Sequence, residues 1–335
     1  MLTLGMKKIL VTGGAGYIGS HITEQLIKLN KNVVILDNLK TGYKLLINKK
    51  AKFIKGDIQN IKLVRKIIKE NEINTIIHLA GLIDVLESGR NKKKYYKNNI
   101  LGTLNLVKAC KKSSIKYFIF SSSAGVYGNI PKACKESMNL KPINYYAYTK
   151  MKCEKIIKKY SKVYNFNYSI LRYFNVCGAS PSGRIGIVNN NNKSLFKTLS
   201  RLALKKIPII NIFGNQHPTK DGTCLRDFIH VSDLSSIHVR SLELLIKKKK
   251  SFLINCGYGK GYSVLQIANL FKKKINRLTK IKFKKARKGE IPISYSNIDK
   301  MKKILKWKPK YNNINLILKN SINWEKKISK LKAFS

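Results

Sequence analysis

Residues Lys7 to His21 read KKILVTGGAGYIGSH. Lys8 to Val11 is a short, largely apolar run of the length of a buried parallel strand, and it stops at Thr12-Gly13-Gly14-Ala15-Gly16. A helical pattern opens at Tyr17, with Ile18, Ile22, Leu26 and Leu29 on one face. Strand, glycine turn and helix form the first half of a βαβ unit. Glycines let the backbone turn tightly and approach a pyrophosphate, which then sits on the positive end of the helix. A second strand, Asn32 to Leu36, runs into Asp37, 18 residues beyond Gly19. A carboxylate there accepts hydrogen bonds from an adenosine ribose and disfavours a 2′-phosphate. Glycine-rich turns are common on their own. With the strand before, the helix after and the acid in place, Gly13, Gly16, Gly19 and Asp37 predict an NAD site.

The same alternation continues down the chain. Strands are predicted at Ala51 to Lys55, Thr75 to Leu79, Tyr117 to Ser121 and Tyr168 to Tyr173. Between them lie helices at Ile61 to Lys69, at about Tyr95 to Lys111 with Leu101, Leu104, Val107 and Ala109 inward, and at about Ala147 to Tyr160. This pattern predicts an α/β, Rossmann-like doubly wound parallel sheet. Asp57 and Ile58, and then Leu79-Ala80-Gly81, follow strand ends and so lie along the cofactor crevice. After Asn175 the pattern loosens, and Asn189 to Asn192 is a low-complexity run expected in an exposed loop. The predicted division is 1–176 for the cofactor domain and 177–335 for a smaller C-terminal substrate-binding α/β lobe. Phe228 to His230 and a helix from Asp233 to about Lys247 are expected to return to the first domain, as part of a stretch near 226–250.

At 335 residues the chain has ample core for two fused lobes. No apolar run approaches a membrane span, no signal peptide is expected before the first strand, and Met6 is a second candidate initiator. Cys110, Cys134, Cys153, Cys177, Cys224 and Cys256 are scattered, with no C-x-x-C pair. They predict reduced thiols in a cytoplasmic protein, not disulfides or a metal site, and the histidines His217, His230 and His238 lack metal-ligand spacing. The formal net charge is +52, yet only nine of the 68 basic residues are Arg. Lys spread along every predicted helix paints a solvated surface and predicts no specific nucleic acid partner, since phosphate attraction follows from any such surface.

Tyr146-Ala147-Tyr148-Thr149-Lys150 contains Tyr-x-x-x-Lys at the head of a helix, which puts both side chains on one face. A phenol of ordinary pKa near 10 is a poor base at neutral pH. An adjacent ammonium and a positive nicotinamide ring would favour its phenolate. Behind a dinucleotide turn, and after the Ser121-Ser122-Ser123 cluster at a strand end, this otherwise common spacing becomes specific.

The chain resembles the extended short-chain dehydrogenase/reductase family and, within it, the UDP-hexose 4-epimerases. The blocks that carry the likeness are VTGGAGYIGSH, VVILDNL, GDI, HLAGL, FSSSAGVYG, YYAYTK, LRYFN, IFGNQHPTKDGTCLRDFIHVSDL and KGEIP, in that order. The family's dehydratases carry an Asp-Glu pair just after the active-site hydroxyl, whereas Ala124-Gly125 follow Ser123 here. The resemblance implies cofactor contacts from Tyr17, Ile18, Asp37, Asn38, Asp57, Ile58, Leu79, Ala80, Gly81, Asn98 and Phe174. It implies a catalytic trio of Ser123, Tyr146 and Lys150. It implies that Asn175, Ser194, Leu195, Phe213, Arg226, Arg287 and Glu290 hold a UDP-sugar, with Ser294 at a position that sets the size of the sugar pocket. A homodimer through the helices near 95–111 and 147–160 is a further implication. Ile83 stands where the family usually has Lys, Tyr145 where it has Pro, and Asn191 to Ser194 departs from the family's Asn-Asn-Leu.

The activity so implied is interconversion of UDP-glucose and UDP-galactose through transient hydride transfer to bound NAD, with N-acetylhexosamine forms as candidate further substrates. Two alternatives stand beside it. One is a nucleotide-sugar decarboxylase or reductase of the same fold, and the other is a non-catalytic NAD- or RNA-binding protein, which would have no need of the trio.

Overall fold

The computed structural model describes residues 8–189, 194–275 and 278–331. The elements in chain order begin with β1 (Lys8–Thr12), α1 (Tyr17–Lys28), β2 (Val33–Asp37), β3 (Lys52–Lys55), α2 (Ile61–Glu70) and β4 (Ile73–His78). There follow α3 (Val85–Arg90), α4 (Lys92–Tyr95), α5 (Gly102–Ala109), β5 (Tyr117–Ser123), α6 (Tyr145–Tyr164), β6 (Asn167–Tyr173) and β7 (Asn175–Cys177). The remainder is α7 (Leu195–Ala203), β8 (Ile209–Phe213), β9 (Leu225–His230), α8 (Val231–Lys248), β10 (Phe252–Cys256), β11 (Gly261–Ser263), α9 (Val264–Lys274), β12 (Lys280–Lys284), β13 (Ile293–Ser294), α10 (Asp299–Leu305) and α11 (Ile314–Ser329).

Seven parallel strands form one sheet in the order β10-β6-β5-β4-β1-β2-β3. Because strand side chains alternate, apolar residues feed two cores. Ile9, Val11, Val33 and Ile35 join Ile22, Leu26 and Leu234 on one face, while Leu10, Val34 and Leu36 join Val64, Ile67, Cys153 and Ile157 on the other. Strands apolar on both faces need helices on both faces, and the sheet is doubly wound for that reason. A smaller sheet, β11-β9-β13 with β7 also on β9, and the pair β12-β8 form separately from the main sheet.

Four expectations are corrected. Leu29 is not on the buried face: α1 ends at Lys28, Asn30 turns left-handed at φ 55°, and Leu29 swings out to 46% exposure. The helix expected over Tyr95 to Lys111 is interrupted by a π-helical stretch at Tyr96–Leu101. The wider turn rotates the face that follows, so Leu106 and Val107 are buried while Leu101 and Leu104 are only half-buried. The helix expected from Ala147 begins at Tyr145, capped by the Asn144 side chain on the Ala147 amide, so Tyr146 is its second residue. Finally, Phe228 to His230 does not return to the main sheet. Its strand, β9, carries Arg226 and Asp227 and builds the small sheet, whereas the more apolar β10 takes the free edge of β6. The helix α8 between them does come back, packing on α1 and on β5 and β6. Of the low-complexity run, Asn190 to Asn192 lies outside the described residues.

Candidate active site

The glycine turn after β1 is shaped by contacts that no side chain would fit. Gly13 has φ +74°, and a Cβ there would lie 2.7 Å from the Ala80 amide nitrogen. A Cβ at Gly19 would lie 2.2 Å from the Gly13 carbonyl oxygen, so α1 can sit directly on the turn. Gly16 caps α1 with extended backbone; the first turn holds no acidic residue and no side-chain cap, which leaves its amides for an anion. Tyr17 donates its hydroxyl to the Gly178 carbonyl at 2.7 Å, and Ile18 packs half-buried on the core.

Asp37 closes β2 beneath this turn. Its carboxylate accepts from the amides of Ala15 at 3.0 Å and Leu39 at 2.9 Å; burial raises its pKa, and those two bonds lower it in part. Asn38 donates to Asp57 at 2.9 Å, which orders the ends of β2 and β3 side by side, and Ile58 is buried behind them. Leu79, Ala80 and Gly81 leave β4 across the same edge, with the Leu79 amide on the Thr12 carbonyl at 3.0 Å. Phe174 is buried just past β6, and Asn98 is half-buried in the π-helical stretch. Asp37, Asp57, Leu79 and Phe174 thus stand at the carboxyl ends of β2, β3, β4 and β6, where a doubly wound fold binds its ligand.

Ser123 ends β5, and its hydroxyl accepts from the Gly125 amide at 3.1 Å. The Tyr146 phenol hydrogen-bonds with this same hydroxyl, and the Tyr146 amide donates to Ser88 at 3.0 Å. Lys150, one turn along α6, donates its ammonium to the Ser121 carbonyl at 2.7 Å and lies 6.0 Å from the Tyr146 ring centre. Trio and crevice meet here: a Cβ on Gly81 would be 3.7 Å from the Lys150 Nζ. Burial pushes the Tyr146 phenol up to about 12, against the hydrogen bond with Ser123, and pushes Lys150 down to about 8. The lowering of the phenol expected from the Lys150 ammonium is therefore not what the protein alone does, because burial outweighs the hydrogen bond with Ser123. Tyr148 faces elsewhere, stacked on Tyr145 at 5.5 Å with Lys152 over it. His78, bonded to Thr12 and Thr103 and pushed down to about 3 by burial, is a packed neutral imidazole.

A second group is brought together by β9 and β13. Arg226 donates to the carbonyls of Leu225 at 2.9 Å and Pro292 at 3.2 Å, with Glu290 3.8 Å away. Parallel pairing sets Ser294 beside Arg226. The Arg287 guanidinium lies 3.8 Å over the centre of the Phe213 ring. Asn175, exposed on β7, joins this group only through the pairing of β7 with β9. Ser194 and Leu195 stand at the head of α7, which packs on β8, the strand that ends in Phe213. Ile83 is 68% exposed at the rim.

A family model described as NAD dependent epimerase/dehydratase family matches residues 9–257. The chain belongs to this family. It is 38% identical over 321 residues to UDP-glucose 4-epimerase of Lactobacillus helveticus, covering 95% of this chain and 97% of the relative. Among solved structures, UDP-glucose 4-epimerase from Bifidobacterium longum in complex with NAD+ and UDP superposes with TM-score 0.90 at 32% identity, covering 96% of this chain and 98% of that one. The UDP-Glc/GlcNAc 4-epimerase of Campylobacter jejuni superposes with TM-score 0.82 at 36% identity, covering 96% and 99%. The cofactor of this NAD-dependent epimerase is NAD, and the residues present fit it. The cradle at Gly13 that a Cβ would fill and the acidic end of β2 both suit a dinucleotide with a free 2′-hydroxyl.

Two groups in this epimerase escape a reading of its sequence. Asn99, next to the expected Asn98, is the buried one: its side chain accepts from the Leu82 amide at 2.8 Å and donates to the Leu82 carbonyl and the Thr149 hydroxyl at 3.0 Å. It ties the loop after β4 to α6. Glu154, one turn past Lys150, takes both a bidentate Arg172 (2.9 and 2.7 Å) and the Ser122 hydroxyl (2.6 Å), and so fixes β5 and β6 under the trio. The signals were an Asn doublet in mid-helix and a Glu in phase with Lys150; neither points to its partner across the fold.

Proposed function

We propose that the protein inverts C4 of UDP-hexoses, interconverting UDP-glucose and UDP-galactose. The observation that supports this reading is the meeting of Ser123, Tyr146 and Lys150 beside the dinucleotide turn, in a chain that also brings Arg226 and Arg287 to Glu290, with Ala124-Gly125 where water elimination would need an acid and a base. Arg226 and Arg287 clamp the diphosphate, a task for which the planar guanidinium suits better than an ammonium. Tyr146 takes the proton of the sugar's 4-hydroxyl, and Ser123 hydrogen-bonds the same oxygen as its charge changes. Reversible hydride transfer is the chemistry that bound NAD would supply, with a ring cation that would favour the Tyr146 phenolate. Lys150 holds its ammonium in place on the Ser121 carbonyl, ready for a ribose hydroxyl. The 4-keto sugar turns over while the arginines keep the diphosphate, so the proton returns to either epimer from one Tyr146.

Purified protein incubated with UDP-galactose and no added cofactor should give UDP-glucose with no net NADH. Accumulation of NADH or release of carbon dioxide would replace this reading by the reductase or decarboxylase. Ser294 extends the reading to N-acetyl sugars. A small side chain beside Arg226 leaves room for an acetamido group that a phenol ring would overlap, a clash of about 1–3 kcal/mol. UDP-N-acetylglucosamine should therefore be a substrate, and Ser294→Tyr should suppress that activity while sparing UDP-galactose; equal effects on both sugars remove Ser294 as the gate. The reading includes two lobes, 1–176 for NAD and 177–335 for the UDP-sugar. It includes a homodimer through the helices near 95–111 and 147–160, where Tyr96 is exposed. It also places the protein in the cytoplasm, which suits six buried free thiols.

A further inference from the structure

His217, Cys224 and Glu290 come from three separate segments, yet their ligating atoms all lie within 4.8 Å of one another. His217 belongs to the turn after β8, Cys224 immediately precedes β9, and Glu290 belongs to the turn before β13. The imidazole is held rigidly. Its backbone accepts from Thr219 at 2.7 Å and donates to Gly222 at 2.9 Å. Its ring lies over Gly214, where a Cβ would meet the Nε2 at 2.2 Å; with φ +76°, that position is glycine for two reasons. This Nε2 is buried and has no hydrogen-bond partner. An unpartnered imidazole nitrogen in a protein interior is costly, and a reason for keeping one is a ligand. The Cys224 thiol and the Glu290 carboxylate lie within 4.8 Å of a nitrogen of this ring, so the imidazole has two co-ligands beside it.

We infer that His217, Cys224 and Glu290 form a binding site for a thiophilic divalent cation of the zinc and cadmium class. Imidazole, thiolate and carboxylate are the donor set of such ions, and three protein ligands leave a fourth position for water. On binding, the Cys224 S–H bond breaks, the proton goes to solvent and the sulfur lone pair bonds to the metal. The thiolate and the Glu290 carboxylate together balance the dipositive charge. Arg226, 3.8 Å from Glu290, is a like charge beside the cation, which the thiolate and carboxylate offset; it meets the carbonyls of Leu225 and Pro292 through Nη1 alone, which leaves the rest of the guanidinium for a phosphate. A bound ion cross-links the turn after β8 to the turn carrying Arg287 and Glu290, which flank the proposed diphosphate clamp. It therefore holds that clamp closed and inhibits turnover. This consequence rests on the proposed function, whereas the binding itself does not.

The test is titration of the purified full-length protein with Cd2+, following the thiolate-to-metal charge-transfer band in the ultraviolet. Wild type should develop the band at one metal per chain, and excess chelator should abolish it. Cys224→Ala should remove the band, and His217→Phe should weaken binding by more than about 100-fold, since losing a ligand exceeds the 10- to 100-fold typical of its supporting shell. The epimerisation of both variants, measured with chelator present, should match wild type and no longer respond to Zn2+. A band that survives in Cys224→Ala, or affinity unchanged in His217→Phe, overturns the site, as does wild type without a band. UDP affinity measured by calorimetry in chelator tests the nucleotide-sugar reading separately, so the two can fail independently.

Discussion

Tyr146 and Tyr148 stand two residues apart on α6, and their surroundings give them different chemistry. The Tyr146 hydroxyl meets Ser123 at the carboxyl end of β5, whereas Tyr148 lies against Tyr145 and Lys152. Tyr146→Phe should lower turnover about 100- to 10,000-fold, the range for a positioned proton-transfer group, with bound NAD and circular dichroism unchanged. Tyr148→Phe should leave turnover near wild type; the reverse pattern would place the base on the wrong tyrosine. Gly13 supplies a second test at this scale. Its left-handed φ and the 2.7 Å approach to Ala80 forbid a methyl group, so Gly13→Ala should purify without NAD. A variant that keeps NAD at wild-type stoichiometry shows that the turn can move out of the way. Residues such as these were legible because their chemistry is local, a turn or a helical spacing. Asn99 was not, since its neighbour Asn98 looks equivalent until the π-helical stretch turns one of them inward.

Elements pair by rules that a sequence carries only in part. Alternating strands and helices predicted the doubly wound sheet, because a strand apolar on both faces has one environment open to it. Phe228 to His230 reads in the sequence as returning to the first domain, yet β10 takes the free edge of β6; both runs are short, and the tertiary contest for β6 separates them. Side-chain links between distant elements were invisible for the same reason. Lys197 of α7 and Glu325 of α11 form a buried ion pair at 2.6 Å, 128 residues apart. Taking away the carboxylate leaves a buried ammonium without its partner, so Glu325→Ala should destabilise the fold by about 3–5 kcal/mol in urea. The double variant Lys197→Met/Glu325→Leu should recover most of the loss, because an apolar pair has no charge to desolvate. A single variant within about 1 kcal/mol of wild type would mean that water reaches Lys197.

The whole molecule carries two electrostatic systems that salt separates. One is the Lys-rich surface behind the +52 charge. It should bind RNA weakly, without sequence preference and with an affinity that falls steeply as salt rises, because binding releases counterions from phosphate. Sequence-selective binding that persists at high salt would contradict this. The other system is internal. His21, His78, His230 and His238 are all buried, and burial pushes their pKa values down from 6.5 to about 4, 3, 3 and 4. Above pH 6.5 these imidazoles are neutral in both folded and unfolded chains and do not affect the balance. Below it the unfolded chain takes up protons that the folded chain refuses, so stability falls with pH until the folded groups titrate near 3 to 4. Each histidine contributes a slope of up to about 1.4 kcal/mol per pH unit in that window. Surface repulsion also grows in acid, but screening at high ionic strength removes it, whereas a buried imidazole is out of reach of counterions. Urea midpoints measured from pH 8 to 4.5 in high salt should therefore be flat above about 6.5 and then drop steeply. His78→Asn, which keeps a polar group beside Thr12 without a titrating ring, should reduce that slope by about one histidine's share. A midpoint independent of pH between 7 and 5 in high salt would show that these four rings accept protons in place, and that their burial is not what keeps them neutral.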